Sequence, residues 1–224
     1  MAATGPEEDK LKLIARGKEN VRRSYASKSL EDLREHYDVW AATYDEDQNA
    51  RGYLGPGMCA ETLSRYLPQS PDLAILDAGS GTGLGGESLR KLGYQRLTAM
   101  DLSDGMLLRA RETGFYERTA QAVLGDRLPF ASDEFDATVS QGTFTAGHAP
   151  PSGFDELLRV TRPGGFIVFS LKCDILETGG FGAKFRELTE AGHWELVEAT
   201  EPKHLHVESK TSDPLLQIYA YRVL

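Results

Sequence analysis

The sequence predicts a single doubly wound α/β domain built on a mostly parallel, seven-stranded sheet. Three observations carry that reading. From Leu73 onward short apolar runs alternate with stretches of helical periodicity, the pattern of strands joined by crossover helices. The first of these runs feeds directly into a glycine-rich turn and then a helix. The last two apolar runs follow one another with no helical stretch between them, which suits an antiparallel pair at the sheet edge.

In chain order, residues 1–27 are polar and aperiodic and predict a flexible or weakly ordered tail, at most a short helix. Residues 28–224 form the domain proper, a helical lid over 28–70 followed by the α/β core over 71–224. Ser29 opens the lid helix. Asp32 stands three residues on as a capping-box acid, and Leu30, Leu33, Tyr37, Trp40, Ala41 and Tyr44 recur at spacings of three and four. A second lid helix follows over 56–67, with Pro56 in its first turn and Pro68 stopping it. Core strands are predicted at 74–78, 97–102, 120–124, 137–140 and 166–171, with helices over 85–92, 105–111 and 154–161 between them. A helix near 183–191 and strands near 195–199 and 216–223 complete the chain.

Composition excludes several function classes. Lys and Arg number 25 against 34 Asp and Glu, a net charge of −9 that repels nucleic-acid backbones and anionic membrane surfaces. Cys59 and Cys173 lie far apart without metal or redox spacing, so no disulfide, zinc site or dithiol is expected. His204, His206 and Glu208 invite a metal reading but lack further ligands, and no metal is assigned. The N-terminal stretch is charged without an apolar segment, and the apolar runs are too short to span a bilayer. A cytoplasmic protein, with a nuclear pool possible, is the expectation.

The glycine turn reads Ile75-Leu76-Asp77-Ala78-Gly79-Ser80-Gly81-Thr82-Gly83 and leaves the end of a strand, where open α/β sheets bind ligands. Gly81, Gly83 and Gly86 also satisfy the spacing of a dinucleotide loop, whose amides receive a pyrophosphate. Charge argues against that. Asp77 is expected at the mouth of the turn, and no Lys or Arg lies between Leu73 and Leu89 to offset it. A carboxylate there disfavours a pyrophosphate and favours a ligand with positive charge, such as the ammonium and sulfonium of S-adenosylmethionine. Asp101 ends the second strand, where a carboxylate accepts both ribose hydroxyls. Asp126 follows the third strand, placed to accept from an adenine amino group, with Leu102 and Met106 as apolar neighbours of the ring.

At these residues the chain resembles the class I S-adenosylmethionine-dependent methyltransferases. The glycine motif looks like Asp77-x-Gly79-x-Gly81-x-Gly83, with Ser80 and Thr82 in the loop. Asp101-Leu102-Ser103 resembles the ribose motif, and Gly125-Asp126 with Arg127 the adenine-side motif. The segment ending at Ser140 is similar to the strand bordering the methyl site, and Tyr37-Asp38-x-Trp40-Ala41-x-x-Tyr44-Asp45 resembles the lid helix of the small-molecule branch. The resemblance implies S-adenosylmethionine as cofactor, S-adenosylhomocysteine as product and a small-molecule acceptor. A cofactor-binding relative without catalysis and a protein methyltransferase stay open as alternatives, and oligomeric state is not indicated. Tyr37 and Tyr44 would cap the methionine end of the cofactor, where aromatic faces also attract a sulfonium, or else belong to a buried helix face. Arg51 would pair with the cofactor carboxylate or lie on the surface. His148, just past the strand that borders the methyl group, is the candidate base.

Overall fold

In the computed structural model, which describes residues 6–211 and 213–224, the chain opens with the helices α1 (Pro6–Tyr25), α2 (Leu30–Trp40), α3 (Tyr44–Arg51) and α4 (Gly55–Ser64). The core then runs through β1 (Ala74–Ala78), α5 (Leu84–Lys91), β2 (Arg96–Asp101), α6 (Asp104–Glu112), β3 (Arg118–Gln121), β4 (Phe135–Ser140), α7 (Gly153–Val160) and β5 (Thr161–Lys172). It ends with α8 (Phe181–Glu190), β6 (Trp194–Ala199), β7 (Lys203–His204) and β8 (Leu215–Val223). The strand order is β3-β2-β1-β4-β5-β8-β6, with the short β7 paired to β8. Pairing is parallel from β3 to β5. β8 then inserts antiparallel between β5 and β6. The order reverses at β1, which has β2 on one side and β4 on the other, so the crevice at the strands' carboxyl ends opens beside β1.

Both faces of the sheet are buried, as the near-continuous apolar strands require. Successive side chains alternate between two cores. Leu76, Phe169 and Tyr221 join Phe154 and Trp194 on one face. Ile75, Val168 and Ala220 join Leu63 of α4 and Leu89 of α5 on the other.

The N-terminal region departs most from expectation. Where a weakly ordered tail was predicted, α1 runs for 20 residues, with Glu7, Glu8 and Asp9 in its first turn and Arg22 and Arg23 in its last, complementing the helix dipole. Residues 1–5 of that tail lie outside the described residues. What holds α1 is a buried carboxylate on another helix: Asp47 of α3 accepts from Arg16 Nε at 2.6 Å, Asn20 Nδ2 at 3.2 Å and Trp40 Nε1 at 2.8 Å. No periodicity of residues 1–27 announces such a partnership. The single lid helix predicted from Ser29 to Tyr44 is likewise broken, with α2 ending at Trp40 and α3 starting at Tyr44. Two residues apart on α3, its acids face different neighbours, Asp47 α1 and Asp45 the glycine turn, where Thr82 Oγ1 donates to it at 2.5 Å.

α2 is clamped to the core in the same way. Ser29 caps it by accepting from the Asp32 amide, and Asp38 Oδ1 accepts from Ser103 Oγ at 2.6 Å and from the Gly105 amide at 2.9 Å. Gly105 allows this approach, because a Cβ there would lie 2.8 Å from the Asp38 backbone. Ser103 also caps α6 through the Met106 amide at 3.0 Å. The third strand ends at Gln121, three residues earlier than predicted, and Ala122, Val123 and Leu124 leave the ladder to face the crevice.

Candidate functional site

A cleft opens at the carboxyl ends of β1, β2 and β4, the place where open α/β sheets bind small molecules. Its roof comes from the N-terminal helices, through Leu30, Leu33 and Tyr37 of α2 and Tyr44 of α3. Its floor comes from the strand ends and the loops that follow them.

At one end of the cleft Asp101 finishes β2. Its Oδ2 accepts from the Gly81 amide at 2.8 Å and its Oδ1 from the Ser103 amide at 2.9 Å. Burial pushes this carboxyl up, opposed by those backbone donors. Each oxygen keeps a further lone pair for an incoming donor. Leu102, Met106 and Ala122 to Leu124 line the wall beside it, an apolar slot next to a fixed acceptor pair.

In the middle lies the glycine turn. Gly79 has φ +79°, and a Cβ there would meet Thr143 Oγ1 at 2.1 Å, so the crossing demands glycine. Gly79 and Gly81 line the cleft; Ser80 and Thr82 are buried beside it, and Gly83 caps α5. Asp77 requires a correction. It is not at an open mouth but fully buried beneath the turn, accepting from Tyr116 Oη at 2.6 Å on Oδ2 and from Gln141 Nε2 at 3.0 Å on Oδ1. Burial pushes its carboxyl up to about 6, with Tyr116 and Gln141 opposing the rise. Gln141, which follows β4, lines the cleft in its place.

At the far end stands His148, in the loop after β4. Its Nδ1 lies 3.1 Å from the Ala146 carbonyl, which can only accept, so Nδ1 carries the proton. Nε2 therefore accepts from Tyr37 Oη at 3.0 Å. Burial holds the imidazole below its ordinary 6.5, helped by the positive charge of Lys172. Burial likewise raises the phenols of Tyr37 and Tyr44, the latter to about 12, so both stay neutral donors.

Besides Asp77, Ser80, Thr82 and Gly83, four more candidates fall outside the lining. Ser140 is buried and ties β4 to β1 by donating to the Ala78 carbonyl at 2.7 Å. Asp126 is exposed in the turn beyond Leu124, and Arg127, also exposed, pairs with Glu156 at 3.5 Å. The early end of β3 carries both away from the slot. Arg51 is buried and bonded to Glu208 at 3.0 Å and to His206 Nδ1 at 3.3 Å. Its remaining Nη1 is buried without a partner. Burial, helped by the positive charge of Arg51, holds His206 down to about 4, and Gln48 Oε1 lies 3.2 Å from its Nε2.

Sequence reasoning missed Gln141, Thr143, Tyr116 and the clamping acids Asp38 and Asp45. The two acids had a signal, each following a tyrosine of the lid motif. Gln141, Thr143 and Tyr116 had none, because a turn residue beside a strand end looks the same whether or not it reaches a buried carboxylate.

The donor set fits an adenosyl ligand with a cationic end: a two-oxygen acceptor beside an apolar slot, a glycine turn with no lysine or arginine, and a buried acid one residue behind the wall. A methyltransferase domain family matches residues 76–169. The chain is similar to methyltransferase-like protein 27 of Homo sapiens, 34% identical over 78% of this chain and 73% of that one. It is also similar to the malonyl-[acyl-carrier protein] O-methyltransferase of Pectobacterium atrosepticum, 30% identical over 73% of this chain, which spans 60% of that relative. A TehB-like S-adenosylmethionine-dependent methyltransferase from Corynebacterium glutamicum shares the fold, with a TM-score of 0.62 and 20% identity over 85% of this chain and 99% of that one.

Proposed function

The chain belongs to the S-adenosylmethionine-dependent methyltransferases, and from that premise we propose that it methylates a nucleophilic atom of a small molecule held between the glycine turn and the His148 loop. The observation that carries the assignment of ends is Asp101. Its two oxygens, held by the Gly81 and Ser103 amides, suit a pair of vicinal hydroxyls, which supports a ribose there. The apolar slot of Leu102, Met106 and Leu124 then takes the adenine, and the amino-acid end extends across the glycine turn toward Tyr44. Arg51 Nη1, buried and unpaired, is the donor suited to the carboxylate of that end.

S-adenosylmethionine, when bound, supplies an activated methyl on a sulfonium, so the chain's own task is alignment and, for a protonated acceptor, removal of one proton. Tyr37 and His148 border the acceptor side. His148 is neutral at pH 7, and the lone pair on Nε2, satisfied by Tyr37 at rest, receives the acceptor's proton when an acceptor hydroxyl or amine takes the place of the phenol. Leu30 and Leu33 close over the same space and exclude water from it. A cleft roofed by the N-terminal helices suits a small molecule better than a folded protein surface.

Calorimetry with S-adenosylhomocysteine, S-adenosylmethionine and NAD tests the placement. Micromolar binding of the first two, about −8 kcal/mol, is expected, with none of NAD. An Asp101→Ala variant that binds S-adenosylhomocysteine as the parent does would displace the ribose from β2.

A further inference from the structure

Gln141 holds two facts that do not explain each other. Its side-chain nitrogen is committed, donating to Asp77 Oδ1 at 3.0 Å, while its side-chain oxygen is buried with no partner. The orientation is dictated by chemistry: Asp77 Oδ1 is a carboxylate oxygen that can only accept, so the amide must turn its NH₂ inward and its Oε1 away. Asp77 itself is locked by Tyr116 on its other oxygen and by Gly85 behind it, where a Cβ would come within 2.6 Å of Oδ2. The residue is 7% exposed and lines the cleft. A buried carbonyl oxygen left unpaired is a cost that folded chains avoid, unless a ligand supplies the missing donor.

The strand order says which part of a ligand arrives there. From Asp101 at the end of β2, a ligand crossing the end of β1 over the glycine turn reaches the end of β4, where Gln141 lies. The adenosyl end being at β2, the group that meets Gln141 is the amino-acid end. Of that end, only the ammonium donates.

We propose that Gln141 Oε1 accepts a hydrogen bond from the cofactor's ammonium group, and that Asp77 is a positioning residue that aims this oxygen and does not touch the ligand. The inference rests on the placement of the ribose at Asp101. It replaces a direct charge contact with a relay: the acid's negative charge lies one hydrogen bond behind a neutral acceptor, and the amide dipole carries its orientation to the ligand. Selectivity for an amine at this point follows, because an amide oxygen held in this way offers nothing to a hydroxyl-free or methylene substituent.

The test compares S-adenosylhomocysteine with its deamino analogue, in which hydrogen replaces the amine, by calorimetry on the unaltered protein and on Gln141→Met, a side chain of similar length without donor or acceptor. The unaltered protein should prefer S-adenosylhomocysteine by about tenfold or more, the range of a charged hydrogen bond. In Gln141→Met that preference should fall to about twofold or less, while the affinity for the deamino analogue holds. Equal affinity for the two ligands in the unaltered protein overturns the contact even if the variant fails to fold. So does a Gln141→Met protein that keeps the full preference. Absence of any S-adenosylhomocysteine binding by the unaltered protein would instead overturn the placement on which the inference rests.

Discussion

The two ends of the cleft are built by different means. At the Asp101 end the acceptor oxygens are held by backbone amides of residues close by in the sheet's own loops, Gly81 and Ser103. At the His148 end the ring is also met by side chains of separate elements, besides the Ala146 carbonyl of its own loop. Tyr37 of α2 bonds the ring, and Tyr25 of α1 packs edge-on against it at 5.5 Å. Tyr25 in turn receives a hydrogen bond from Lys172 of β5 at 2.5 Å and lies 3.1 Å from Thr145 in the His148 loop. A backbone-held end recognises one ligand rigidly. A side-chain-held end can be opened and refitted, which is where an acceptor must enter and leave.

The contrast can be broken by substitution at each end. The largest effect belongs to the far end: His148→Ala should lower turnover by roughly 10²-fold or more, while the S-adenosylhomocysteine affinity stays unchanged, since the lost contact belongs to the acceptor's proton. Because burial holds His148 below 6.5, its neutral form is favoured and activity is present at neutral pH. The acid limb of the kcat/KM profile should therefore lie below pH 6.5 and vanish in the variant. Full turnover in His148→Ala would mean that alignment alone drives transfer to an acceptor already deprotonated.

The Asp101 end should give the opposite split. Asp101→Ala should weaken cofactor binding by about 1.5–3 kcal/mol, read by calorimetry, because a charged acceptor is lost from two hydroxyls. Thermal melting without ligand should change little by comparison. A variant whose melting falls while its affinity holds would make Asp101 a strut for the glycine turn.

Asp77 sharpens the comparison through pH. Its carboxyl is raised by burial from 3.8 to about 6, so the folded chain holds this proton more tightly than the unfolded chain. Between these values stability falls as pH rises, and the burial cost is fully present above about pH 6. The stability of Asp77→Asn relative to the parent should therefore improve by up to about 3 kcal/mol between pH 4 and pH 7, whatever the offset at low pH. Parallel melting curves across that range would show that the carboxyl is not desolvated as the fold places it. The smallest effect is expected at the clamp: Asp38→Ala removes acceptance from Ser103 and Gly105 and should cost about 1 kcal/mol of stability with a few-fold loss of cofactor affinity.

Local patterns made the central part of this molecule legible. Short apolar runs alternating with helical stretches, and a glycine turn between a strand and a helix, were enough to order β1, α5, β2, α6, β4, α7 and β5, and to bring Gly79, Gly81, Asp101, Leu102 and Met106 to one crevice. The position of a residue at a parallel strand's carboxyl end is itself a local property, and it predicts which side of the sheet a ligand meets. At β3 the same pattern predicts a strand as far as Leu124, three residues past its end at Gln121, and thereby sets Asp126 against the adenine slot. Apolar residues after Gln121 serve the cleft wall, and hydrophobicity alone does not separate that use from a ladder.

Sequence by itself determined the sheet, the glycine turn and the acid at the end of β2, because each depends on residues adjacent in the chain. Only the tertiary structure decided that a polar N-terminus becomes α1, that Asp77 hides behind Gln141, that Arg51 turns to Glu208 and His206, and that Tyr37 closes onto His148. In each of those cases a charged or polar side chain is desolvated, and its partner lies on another element. Burial makes a polar group seek whichever donor or acceptor the fold brings within about 3 Å, and nothing in the neighbouring residues records which one that will be.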